Sequence, residues 1–95
     1  MARHSSSRKR ESVRGGTVLI SRSVLCTMIG ISERQLTVWE QEEFLAPASR
    51  NDIDGILYDR TALKRARIIR TLSEELEVNL PGIGVILHLL DQLSD

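Results

Sequence analysis

Ninety-five residues with a formal net charge of zero describe one domain built around a single modest core. The only aromatics are Trp39, Phe44 and Tyr58, so that core must be mostly Leu, Ile and Val. No stretch approaches the roughly 20 apolar residues of a membrane span, no secretory leader is visible, and the lone Cys26 can form no internal disulfide. The expected setting is therefore a reducing cytoplasm, away from any membrane.

Charge is unevenly spread along the chain. Residues 1–16 hold Arg3, Arg8, Lys9, Arg10 and Arg14 against Glu11, a net of +4 that leaves −4 for the remainder. A polar, Ser/Arg-rich start with almost no apolar residues predicts a disordered basic arm over 1–16 and a folded domain over 17–95. Arg8, Lys9, Arg10 and Arg14 suit either of two roles, neutralising phosphates or keeping the chain soluble. Eleven of the thirteen basic residues are Arg, which favours planar, bidentate contacts to phosphate or carboxylate.

Thr17–Ile20 reads as a short strand leading into the first helix. Ser21 is a good N-cap, and Val24, Leu25, Met28 and Ile29 then recur at helical spacing. Gly30 ends that helix. Ser32 caps the next, and Gln35 three residues later completes a capping-box pattern. Leu36 and Trp39 face inward, and Phe44-Leu45 closes the segment before Pro47. Two short helices joined by a glycine-containing turn have the outline of a helix-turn-helix.

After Pro47, ASRNDIDGI is rich in turn residues and Leu57-Tyr58 is a brief strand, so a hairpin wing is expected over 48–58. Asp59 caps a third helix running from Arg60 to about Glu77, with Leu63, Ala66, Ile69, Leu72 and Leu76 at three-to-four spacing. Its bases come first and its acids last, which opposes the helix dipole. That arrangement fits either a basic patch used by a partner or a solvated face. Asn79 caps a fourth helix with Pro81 in its first turn. Ile83, Ile86, Leu87 and Leu90 point inward, whereas Val85, Leu89 and Leu93 fall on another face and mark a dimer or partner surface.

Enzyme chemistry has no foothold here. There is no Gly-rich phosphate loop, and one cysteine with distant His4 and His88 supplies no metal-ligand spacing. Neither a catalytic site, a metal nor a cofactor is expected. Cys26 reads as a small buried hydrophobe.

Ile31-Ser32, Leu36, Trp39-Glu40 and the exit Phe44-Leu45-Ala46-Pro47 resemble the text of the MerR family, S-x-x-T-L-R-x-W/Y-E-x-x-G-L-x-x-P. The tail YDRTALKRARIIRTLSEELEVNLPGIGVILHLLDQL resembles two MerR branches. One is the heat-shock repressors, which bind operator DNA as dimers. The other is small modulators of a J-domain co-chaperone, to which LPGIGVILHLLD is the closer match. The likeness covers residues 17–94 and implies an all-α fold: a winged helix-turn-helix of MerR type, four helices with a short β wing. It departs from the family text at Thr37, where a base is usual, at Glu43, where glycine is usual, and at Ile56-Leu57.

The resemblance implies a transcriptional regulator, a homodimer on double-stranded DNA in a bacterial nucleoid, tied to stress or chaperone genes. The alternative it implies is a protein-binding modulator of a J-domain chaperone with little DNA binding. In the first case the second helix reads bases through Arg34, Thr37, Val38 and Gln41. Arg22, Arg50, Arg60, Lys64 and Arg67 then hold the phosphate backbone. Against that reading, the second helix carries Glu33, Glu40, Glu42 and Glu43 beside Arg34 alone, an awkward charge near phosphates.

Overall fold

The computed structural model of the chain describes residues 11–14 and 17–93. In order, β1 (Glu11–Arg14), β2 (Thr17–Ser21), α1 (Arg22–Ile29), α2 (Glu33–Gln41), β3 (Ser49–Asn51), β4 (Gly55–Tyr58), α3 (Arg60–Arg70) and α4 (Leu80–Leu93) make a helical domain with a small antiparallel sheet. The strand order is β1-β2-β4-β3. This architecture is compatible with a helix-turn-helix fold.

The helix ends are set by the residues the sequence singles out. Ser21 Oγ accepts from the Val24 amide at 3.2 Å, and Gly30, at φ 84°, closes α1 in the left-handed conformation that glycine adopts without strain. Ser32 and Gln35 form the reciprocal capping box of α2. Asp59 Oδ1 accepts from the Ala62 amide to start α3, and Asn79 Oδ1 accepts from the Gly82 amide to start α4. These bonds satisfy amides that have no partner inside their own helix.

One core joins all the helices. Leu25, Cys26 and Ile29 of α1, Leu36 and Trp39 of α2, Ala62, Ala66 and Ile69 of α3, and Ile83 and Leu87 of α4 pack together with Ile20, Phe44, Leu45 and Tyr58. The two alanines of α3 are small enough for its axis to lie close to its neighbours. At the α2 exit, the Phe44 amide reaches the Trp39 carbonyl at 2.9 Å and turns Phe44 and Leu45 into this core.

Three expectations are corrected. An all-α fold with only a short β wing is too narrow: the four helices and the wing are present, but β1 together with the expected strand β2 extends the wing hairpin into a four-stranded sheet. β1 also lies inside the stretch read as a disordered arm: Arg14 pairs with Thr17 and Glu11 with Ile20. Arg8, Lys9 and Arg10 lie outside the described residues. The third helix does not continue regularly to Glu77. After Arg70 the chain widens into a π-type turn over Thr71–Glu75, with the Leu76 amide bonded to the Thr71 carbonyl. Arg67 and Arg70 thus occupy the last α-helical turn, where basic charge suits the dipole. Met28 and Leu76, read as apolar helix positions, are largely exposed.

Glu43 sits at φ 62°, a left-handed backbone in the position where the family text has glycine. That conformation costs a residue with a Cβ roughly 1 kcal/mol. Glu43→Gly is expected to raise stability by up to about 1 kcal/mol, read as a higher urea midpoint at unchanged slope.

Candidate macromolecular interface

Glu40 is the polar centre of the α1–α2–wing junction. It lies on the half-buried side of α2, one residue beyond the buried Trp39. Arg22, the first residue of α1, grips it with two bonds, Nε to Oε2 at 2.9 Å and Nη2 to Oε1 at 3.0 Å. From β4, the Tyr58 hydroxyl donates to Oε2 at 2.6 Å. One carboxylate thus ties α1, α2 and the wing strand together. Burial pushes its pKa up, but the bonds from Arg22 and Tyr58 outweigh that effect and hold it below its ordinary value. Burial, then the bond to Glu40, drives the Tyr58 phenol far in the opposite direction, so it stays protonated.

This junction changes the role expected of Arg22. Read as a phosphate contact, it is half-buried and bonded inside the fold, with Glu33 at 3.3 Å and the Thr37 hydroxyl at 2.9 Å as further acceptors. Thr37 is exposed, yet its hydroxyl also donates to the Glu33 carbonyl. Val38, expected to read bases, is half-buried against the core. Arg34 and Gln41 are exposed on α2, and Arg50 is exposed on β3. Thr37, Gln41 and Arg50 line a shallow cleft between α2 and the wing, floored by Glu40, Tyr58, Leu45 and Ile56.

Two further surfaces lie apart from that cleft. Arg60, Lys64 and Arg67 are exposed at positions i, i+4 and i+7 of α3 and form one basic stripe. On α4, Val85, Leu89 and Leu93 are 60%, 53% and 82% exposed, an uncovered apolar stripe. The core side of α4 is pinned by Arg65, which the sequence did not single out. Its guanidinium donates to the Phe44 carbonyl at 2.5 Å and to both oxygens of Asp91 at 2.6 and 3.1 Å.

Residues 20–95 match the family described as MerR HTH family regulatory protein. The chain belongs to that MerR family. It is also similar to the chaperone modulatory protein CbpM of Coxiella burnetii, in the Dugway and Henzerling II strains among others, with 44% identity over 37 residues. That match takes in 39% of this chain and 35% of the relative, so the chain spans about a third of the length of the curated relatives it matches.

The surfaces described above are solvent-facing patches of the MerR-family domain. Among the described residues no group of three or more His, Cys, Asp or Glu is placed to hold a metal, and no helix is long and apolar enough to cross a membrane. Burial raises the Cys26 pKa, and its Sγ sits 3.7 Å from the Ser32 carbonyl. That environment keeps the thiol protonated and unreactive.

Glu40→Gln removes the charge while keeping the shape. It is expected to destabilise the domain by about 1–2 kcal/mol at neutral pH. Because the folded-state pKa of Glu40 is depressed, its contribution is complete above the unfolded value and fades as pH falls through the folded one. The stability gap between wild type and variant should therefore close on acidification. Paired urea titrations from pH 7 to pH 3 test this, and a gap that stays constant would dissociate Glu40 from the effect.

Proposed function

We propose that this MerR-family chain regulates by protein contact, as a modulator that binds a J-domain co-chaperone, with DNA binding secondary. The observation that carries this reading is the charge on α2. Glu33, Glu42 and Glu43 are exposed on and just beyond it, Arg34 is its sole base, and the neighbouring Arg22 is neutralised by Glu40 and Glu33. A duplex is bound largely through phosphate neutralisation, and this helix brings carboxylates instead. The chaperone modulators among its relatives and the LPGIGVILHLLD tail support the same reading.

In this reading the exposed acids Glu42 and Glu43 at the α2 exit form one contact surface and Val85, Leu89 and Leu93 of α4 the other, for the co-chaperone or for a second copy of the chain. Glu40 and its neighbour Glu33 are poor probes of the interface because both pair with Arg22 inside the fold; Glu42 and Glu43 are exposed and suited to the purpose. A second reading, an operator-binding regulator, draws on the Arg60–Lys64–Arg67 stripe together with Arg34, Gln41 and Arg50. In it, the basic arm with Arg8, Lys9, Arg10 and Arg14 adds further phosphate contacts.

The two readings separate in an equilibrium titration of the full chain against a purified J-domain co-chaperone and against duplex DNA, each at two salt concentrations. Saturable co-chaperone binding is expected, weakened at least about tenfold by Glu42→Lys with Glu43→Lys and reduced by Leu89→Asp. Duplex binding is expected to be weak, indifferent to sequence and lost near physiological salt. Tight, sequence-dependent duplex binding that Arg34→Ala abolishes would instead establish the operator-binding reading.

A further inference from the structure

The wing tip carries a side chain that the fold does not use. Ile53 is 93% exposed, the most exposed large apolar residue among those described. It occupies the tip of a three-residue loop between Asn51 and Gly55, which face each other across the β3–β4 ladder. Asn51 and Gly55 alone account for the turn. Asn51 Oδ1 accepts from the amides of Ile53 at 2.9 Å and Asp54 at 2.6 Å. Gly55, at φ 73°, takes the left-handed position such hairpins require. A β-branched apolar residue is out of place in a turn and here buries nothing. Where natural proteins break a local rule, the place is commonly a functional or strained site.

Scattered apolar side chains are ordinary on protein surfaces, but this one is mounted. The turn locks its backbone, and the wing beneath is anchored by the buried Leu57 and Tyr58 of β4. A tip ordered before contact loses little entropy on binding. Its immediate neighbours, Asp52 and Asp54, are both exposed carboxylates. They would repel a phosphate backbone and complement a basic rim.

We propose that the wing tip is a protein-docking knob: Ile53 seats in an apolar pocket of the partner whose rim is lined by lysine or arginine. The proposal rests on the protein-contact reading above, and it assigns the wing to the co-chaperone instead of to DNA.

The test uses the full chain and the purified J-domain co-chaperone, with affinity and melting temperature measured for wild type, Ile53→Asn and the Asp52→Lys/Asp54→Lys pair. Ile53→Asn should weaken binding about ten- to a hundredfold. Its melting temperature should not fall, since asparagine suits a turn and nothing in the core is lost. The charge-reversed pair should also weaken binding and flatten its salt dependence. If wild type binds and Ile53→Asn binds equally well, the knob is refuted while the protein-contact reading stands. A loss of affinity matched by a lower melting temperature refutes it too, because the side chain would then act through the fold. If wild type does not bind the co-chaperone at all, the protein-contact reading fails and the knob fails with it.

Discussion

Glu40 is a half-buried carboxylate, and the way it is paired shapes this domain. Taking a charge partly out of water is unfavourable unless donors replace the lost hydration. Here the donors arrive from α1 through Arg22 and from the wing through Tyr58. The requirement to satisfy one anion therefore fixes how the first helix, the second helix and the sheet meet. Hydrophobic packing of Leu25, Leu36, Trp39 and Ala66 supplies most of the cohesion. It is non-directional, though, and the Glu40 junction supplies direction.

The same junction decides what the surface can offer. An arginine at the start of α1, beside the outward face of α2, would ordinarily be a phosphate contact. Bound by Glu40, Glu33 and Thr37, it contributes little positive potential outside. What remains on α2 and at its exit is mostly acidic beside Arg34, and the other exposed basic side chains include the α3 stripe and Arg50. The shallow cleft between α2 and the wing, the apolar stripe of α4 and the acidic wing tip are the surfaces on which the protein-contact proposal rests.

Much of the fold was legible from local rules. Ser21, Ser32, Asp59 and Asn79 each cap the helix assigned to them, since capping depends only on a side-chain oxygen reaching an amide two or three residues on. The inward faces of α1, α2 and α4 followed from helical periodicity, with Leu25, Leu36, Ile83 and Leu87 all buried. β1 escaped notice because composition spoke for disorder. The signal against it was Gly15-Gly16 set between Val13 and Val18, a hairpin pattern that strand pairing turns into structure. The wide turn after Arg70 was equally hidden, because nothing in the run TLSEE distinguishes a π-type from an α-helical bond.

By itself, then, the sequence determined the helix starts, the wing and the MerR resemblance, all of which rest on neighbours within a few residues. Only the tertiary structure decided that Arg22 meets Glu40 across 18 positions and that Arg65 meets Asp91 across 26. It alone showed that Val38 packs inward while Ile53 stands clear of everything. A side chain's local environment follows from helix and strand geometry, but which charges cancel depends on how whole elements pack. That cancellation is set by distances in space that no local spacing encodes.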